Sequence, residues 1–433
     1  MSKATLNNYL SIKNIAIAIF LIFLLIQCIL LYVFRNLSQL SDNICYIELA
    51  QKCFEQSSWY PSSSDIYSNY IWAPGLINYY ILQLKLFGTI SYNGLLNLFL
   101  NVGIFIEIWY LAKYFFSERI AYISLILNCL LYSNLIGILI YGTEIPFLFL
   151  ALAGLCLCTQ KKAWAIIIGG IALSFSNTVR PLAILFIITI ILFFVTKRNN
   201  WEKNVLVFIS SYLLVTIIFG SISWNRTGYF TYQSTTSGIN LVMTAIEGAD
   251  GLTSTGSKLV ETNPDFCAEK IKKFTFKQRD SLFMSSAITW IKSHPLEYTK
   301  LYIKKIPLLY MDDTWPERLM TGKGLTDSLH DSNSKTNYIL SIILKNLSYY
   351  ICCFVFLLYI IRNRRNLISF KNILIFLLIT GTLLTCLFAS MPRYHYPFLF
   401  IIVIYTAAEL DYKYNELNLR KIRHKILDNQ PNI

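Results

Sequence analysis

The stretch NIAIAIFLIFLLIQCILLYVFRNLSQLSDNICYIELAQKC, residues 14–53, decides the fold. Its first half, 14–34, is a run of about twenty residues without a charge, long enough to cross a bilayer. It lacks the small-residue cleavage pattern of a signal peptide and reads as a retained first span. A carboxylate, Asp42, follows almost at once, with Tyr46 and Ala50 behind it at helical spacing. An acid therefore starts a short helix close to the surface from which the chain has just emerged.

The rest of the chain has the same character. With 55% hydrophobic and 14% charged residues in 433, the apolar surface exceeds what one aqueous core can hide, so lipid is its solvent. Further apolar runs cover 93–114, 120–140, 144–159, 163–177, 181–196, 203–223, 337–361, 369–388 and 394–410, which predicts an all-α polytopic membrane protein of about ten transmembrane helices with extracytoplasmic loops and amphipathic interfacial helices. Lys and Arg gather at 117–119, 160–162, 196–203, 362–366 and 419–425, alternate connections whose basic character marks the cytoplasmic side. Most of the +14 formal charge is thus topological and implies membrane lipids rather than nucleic acid as the surroundings.

This topology divides the chain into spans 1–7 (residues 1–223, including a first outer loop at 35–92), an outer segment at 224–336, spans 8–10 (337–410) and a cytoplasmic tail (411–433). The first loop reads as a helix near 43–56, an aromatic stretch, and a second helix opened by Pro74 and stopped by Gly88. Its aromatics, Trp59, Tyr60, Tyr67, Tyr70, Trp72, Tyr79 and Tyr80, have the composition of a headgroup-level segment. The second outer segment is part loop and part helix, with a helical run interrupted at Pro295. Of ten cysteines, only Cys45, Cys53 and Cys267 face outward. Cys45 and Cys53 lie about 12 Å apart along one helix and cannot bridge, which leaves a bond from either to Cys267 open. A CxxC pair, a P-loop and a GxGxxG are all lacking, so dinucleotide and ATP chemistry find no support.

Charge also occurs where topology does not ask for it. Glu144 in YGTEIPF, Arg180 in NTVRPL and Arg393 in SMPRYHYP each begin a span on the outer side, and ionisable groups at such depth mark a site. Together with Asp42 they describe a cavity that handles an anionic group and abstracts a proton.

The stretches SDNICYIELA, APGLINYYILQLKLFG, GTEIPFLFLALAG, TYQSTTSGINL, AITWIKSHPLEYTKLYIKK and MPRYHYPFLF resemble, in order, landmarks of the bacterial glycosyltransferases of the GT-C fold. The branch is that of the protein O-mannosyltransferases and the aminoarabinose transferase acting on lipid A. The resemblance implies transfer of a sugar, with inversion, from a polyprenyl-phosphate-linked donor to a glycan, lipid or protein acceptor. It places the active site on the outer face of a bacterial cytoplasmic membrane. It implies that the first-loop acid, Asp42, is the base. The family often carries a second acid where this chain has Asn43, and two prolines where it has Ala73-Pro74. The first departure removes one ligand for a divalent cation and leaves metal dependence open.

On this reading Asp42 and Glu144 are the catalytic candidates, while Arg180, Arg393 and Lys304 would hold the donor phosphate, for which the guanidinium fork is suited. Tyr46, Tyr394 and His395 would line the substrate pocket. Each residue also has a plainer role. Asp42 suits a helix N-cap, Glu144 a helix N-terminus, and either arginine the lipid headgroups. Lys304 and Lys305 suit a solvated face, Tyr46 packing, and His395 a structural hydrogen bond. Asp312 and Asp313 are a weak cation signal. Two other classes share the broad pattern: a surface-polysaccharide polymerase or ligase, and a lipid-linked sugar flippase. The first does not require an acid directly after the first span; the second favours polar groups near mid-bilayer, where this chain has few.

Overall fold

A computed structural model of the chain describes residues 3–160, 162–197, 200–321, 335–367 and 369–428. Parts of the expected basic clusters at 160–162 and 196–203, the end of the outer segment and the last residues of the tail lie outside the described residues. The described chain is built from helices and connecting turns. The first apolar run lies in α1 (Lys3–Val33), whose Leu21, Leu25 and Val33 are exposed as lipid-facing side chains should be. The first outer loop holds α2 (Asp42–Glu55) and α3 (Pro74–Phe87). Pro74 sits at the first turn of α3, and Gly88 closes it at φ 70°, a left-handed conformation that suits glycine. The chain returns through α4 (Asn93–Phe115), α5 (Glu118–Cys129) and α6 (Tyr132–Ile136).

The expected span 120–140 is not one straight helix. Its two parts, Glu118–Cys129 and Tyr132–Leu139, meet at 70°. The break is held by polar groups that take over backbone partners. Asn134 Nδ2 donates to Asn128 O at 3.1 Å, and the Ser133 N–H is taken by Asp313 Oδ2 at 3.2 Å. There follow α7 (Glu144–Cys158), α8 (Ala163–Val179), α9 (Ala183–Lys197) and α10 (Trp201–Thr227). At Gly170 on α8 an added Cβ would lie 2.1 Å from Ser211 Oγ and 2.7 Å from Phe208 O, so glycine is what lets α8 and α10 touch.

The outer segment carries α11 (Ser237–Val242), α12 (Thr253–Thr262), α13 (Ala268–Ile271), α14 (Phe276–Ser293), α15 (Pro295–Leu309) and α16 (Trp315–Thr321). Pro295 separates α14 from α15, as expected from sequence. After it come α17 (Lys335–Arg362), α18 (Ile373–Leu387), a 3₁₀ helix at Pro392–Phe398 and α19 (Leu399–Asp428). Among the described residues, five helices are long and apolar enough to cross a membrane, or six if the bent pair is one span. The helices at 144–158, 163–179 and 183–197 are shorter. At 1.5 Å per residue they fall below the roughly 30 Å of a hydrocarbon core. Among the described residues the chain is all-helical, consistent with a polytopic membrane protein, and helix length alone accounts for five or six of the ten expected spans.

The two outer segments are tied together. The Ile71 N–H donates to Thr235 Oγ1 at 2.8 Å and the Thr235 N–H to Ile71 O at 2.9 Å, while the Phe276 N–H reaches Ile66 O at 2.8 Å. Tyr60 and Tyr80 are buried rather than placed among headgroups, and Tyr60 OH accepts the Trp72 N–H at 2.9 Å. Tyr67, at 62% exposed, keeps the surface position expected of the whole group. All ten cysteines are free, so the pairing left open for Cys267 is not formed.

Candidate functional site

Four charges from four different elements meet at one end of the bundle. Asp42 is the first residue of α2; the N-cap is Ser41, at φ 57°, and it makes no side-chain cap. The Asp42 carboxylate is therefore not spent on capping. Oδ2 accepts from Arg393 Nη2 at 2.5 Å, across 351 residues of chain. Glu144 opens α7 and Arg180 follows the last turn of α8, so both are delivered by helix ends that pack on each other. Their ion pair, Arg180 Nη1 to Glu144 Oε1 at 3.2 Å, is shielded: the two side chains are 11% and 3% exposed. Glu144 also sits at the N-terminus of α7, the positive end of the helix dipole.

Tyr394 joins the two pairs. Arg180 Cζ lies 5.1 Å and Arg393 Cζ 5.4 Å from its ring centroid, so one aromatic ring faces both guanidiniums. Tyr46, edge-on to Trp72 at 5.2 Å, is buried behind Asp42. Burial first, and then the Asp42 charge, push the Tyr46 hydroxyl well above the ordinary tyrosine range; the charges of Arg393, Glu144 and Arg180 also act on it. Burial alone would pull the Arg393 guanidinium down, but Asp42, Tyr394 and Glu144 outweigh it and hold it well above its ordinary range. A permanently charged arginine with a buried, unpartnered Nε remains available to an anion.

The other expected residues stand elsewhere. Lys304 is exposed on α15 and makes no ion pair with this group; the adjacent Lys305 is the buried one, donating from Nζ to Phe388 O at 3.0 Å. One residue turns a helix by about 100°, so adjacent lysines take different faces. His395 is fully buried, and its contacts are with residues other than the four charges. Its Nδ1 is 2.9 Å from Leu309 O, its ring stacks on Tyr349, and Nε2 lies 3.5 Å from Asp313. Asp312 and Asp313 are likewise structural. Asp312 Oδ1 accepts from Thr314 N and Oγ1 at 2.6 Å and from Asn346 at 3.1 Å, and Asp313 holds the α5–α6 break. No group of three or more His, Cys, Asp or Glu placed to hold a metal ion occurs among the described residues.

Two features escaped the sequence. One is a cavity of about 580 Å³ walled by apolar and aromatic side chains of α3, α4, α7, α8 and α10, with Arg226 on its lining. Its wall includes Pro146 and Val179, near neighbours in the chain of Glu144 and Arg180. The other is Gly142: a Cβ there would lie 2.5 Å from Glu144 Oε2 and 3.1 Å from Asn43 Oδ1. The glycine directly before Thr143-Glu144 was the visible signal for the second. The cavity draws on five separated helices and left none.

No family model matches the chain, and no curated protein does. Solved structures do. The oligosaccharyltransferase of Archaeoglobus fulgidus in its apo form superposes with a TM-score of 0.53 at 13% identity, over 95% of this chain and 52% of that one. The same protein in complex with Zn and sulfate gives 0.50 at 13% identity, over 95% and 51%. Tethered to an acceptor peptide containing the NVT sequon, it gives 0.50 at 13% identity, over 94% and 50%. The chain thus spans about half the length of these structures, and at this identity the likeness concerns the fold. Helix order, paired outer segments and superposition together give this chain a GT-C glycosyltransferase-like fold.

Proposed function

We propose that this chain is an inverting glycosyltransferase moving a sugar from a polyprenyl-phosphate donor to an acceptor on the outer face of a bacterial cytoplasmic membrane. The observation that carries this reading is the Asp42–Arg393 pair beside the Glu144–Arg180 pair, bridged by Tyr394. Each guanidinium contributes one nitrogen to its acid and has others for a phosphate. Asp42, 31% exposed at its side chain, takes the proton of an acceptor hydroxyl as that oxygen attacks the anomeric carbon. The bond from that carbon to the phosphate oxygen breaks on the opposite side, and the polyprenyl phosphate leaves with one more negative charge.

The pairing gives this step an internal balance. Protonation of Asp42 removes the counter-charge of Arg393 while the leaving phosphate gains one, so the guanidinium's attraction passes from carboxylate to phosphate. Glu144 keeps Arg180 oriented throughout. The apolar cavity beside these residues suits the first units of an isoprenoid chain, and Arg226 supplies a cation at its wall. The acceptor is a glycan, a lipid or a protein; the related fold with a tethered acceptor peptide favours keeping protein among them.

The test is mass analysis of lipid-linked oligosaccharides, glycolipids and glycoproteins from a deletion strain against wild type. Loss of one sugar increment from one class is expected and names both sugar and acceptor. Unchanged masses in every class would remove the proposal.

A further inference from the structure

We infer that Gln39 is a positioning residue for the transfer step: its carboxamide ties the segment that delivers Asp42 to the segment that delivers Glu144. The inference rests on the glycosyltransferase reading above and concerns how the two acids are placed. Gln39 is buried, and both ends of its amide go to the backbone of one short stretch. Nε2 donates to Leu139 O at 3.0 Å, and Oε1 accepts the Tyr141 N–H at 3.0 Å. A side-chain amide paired in this way imitates a peptide group of a neighbouring strand. Its orientation is fixed, since a flipped amide would set oxygen against oxygen and N–H against N–H. Gln39 lies three residues before Asp42, and Tyr141 three residues before Glu144. One side chain thus joins the two acid-bearing segments at equal distance from each acid.

Regular structure holds neither segment at this point. Residues 37–40 are neither helical nor in a strand, and Ile140 is extended at φ −91° and ψ 125°. The stretch before Glu144 is gripped a second time by Asn97 of α4, whose Nδ2 donates to Ile138 O at 3.2 Å and to Ile140 O at 2.9 Å. That stretch is therefore anchored to α4, and through Gln39 the Asp42 segment is anchored to it. Between Gln39 and Asp42 the backbone is forced. Ser41 has φ 57° and ψ −139°, a conformation that residues with a side chain rarely adopt. Such a residue persists only where its surroundings over-determine it. The Gln39 tie and the Asp42–Arg393 contact are restraints that flank it. Without the tie, Ser41 relaxes into an ordinary conformation and carries the Asp42 carboxylate away from the acceptor hydroxyl.

The test supplies purified full-length protein in detergent with a membrane extract of the deletion strain, which holds the unconsumed donor and acceptor. The readout is the sugar mass increment formed with time, and wild type should form it. Gln39→Leu should lower the rate at saturating extract by roughly tenfold to a hundredfold, the effect of misplacing a reacting group by about 1 Å. The amount of extract giving half-saturation should stay within about twofold. In an Asp42→Asn background the same change should cost less than about twofold, because a residue that acts through Asp42 has nothing left to position. Gln39→Glu keeps the shape and, when protonated, donates and accepts as the amide does, so it should recover most of the rate at about pH 5, where burial keeps the carboxyl neutral. Thermal midpoints report whether each variant is folded, and Gln39→Met replaces a leucine variant that is not. A rate within about threefold of wild type, below the effect expected of a displaced base, overturns the inference alone. So does an equal loss in both backgrounds, or a glutamate variant as slow as the leucine variant at about pH 5. A wild type that forms no increment overturns the glycosyltransferase reading and the inference with it.

Discussion

Asp42→Asn separates chemistry from architecture, because the two depend on its charge by different amounts. The substitution preserves shape and an oxygen able to accept from Arg393 Nη2, so only the charge is lost. Two unit charges about 4 Å apart attract by about 4 kcal/mol at an effective dielectric of 20. With the Asp42 side chain 31% and the Arg393 side chain 13% exposed, solvent screening brings the stability cost toward about 1 kcal/mol. Removing a general base costs about 10²–10⁴ in rate, or about 3–5.5 kcal/mol of barrier. The rate should therefore fall far more than the fold weakens. Purified wild type and variant would be compared for initial transfer rate, affinity for the donor lipid and thermal midpoint in detergent. A variant within about tenfold of the wild-type rate, less than the smallest effect expected of a lost base, would refute the assignment. So would a rate loss accompanied by an equal loss of donor affinity.

The buried Glu144–Arg180 pair carries a different signature: Glu144→Gln should cost about 3–5 kcal/mol by leaving Arg180 uncompensated, and adding Arg180→Met should restore most of it. Thermal unfolding of the single and double variants measures this. Burial lowers the Lys305 ammonium to about 8. Its ordinary value is about 10.4, so between the two the unfolded chain holds a proton that the folded chain has released, and stability rises with pH across that window. Lys305→Met should flatten that rise, read from thermal midpoints at about pH 8 and about pH 10. Leu82→Trp, placed at the cavity wall, should raise the donor KM by roughly tenfold or more with little change in kcat if the lipid chain lies there.

The four charged residues were legible from sequence for one reason. Arginine and glutamate at outer helix starts run against the distribution that membrane insertion imposes, so they stand out without knowledge of their partners. The partners were not legible. Asp42 finds Arg393 and Glu144 finds Arg180 through helix packing, and local sequence has no record of either match. Lys304 and Lys305 show the same limit at smaller scale: in KLYIKKIP two adjacent lysines look alike, and only the packing of α15 on α18 decides which is buried. The bend after α5 was hidden because LNCLLYSNLIGILI reads as continuous hydrophobicity, although Asn128 and Asn134 were its visible cause. The bounds of α7, α8 and α9 were legible to within two residues, because each is a continuous apolar run closed by polar or turn-forming residues.

The join between Asp42 and Arg393 spans most of the polypeptide. A ribosome has placed the acid beyond the first membrane helix long before it makes the arginine that steadies it. Every nascent intermediate that stops short of residue 393 therefore exposes an acid without its cation, and the ionic centre closes only after Pro392–Phe398 has been made.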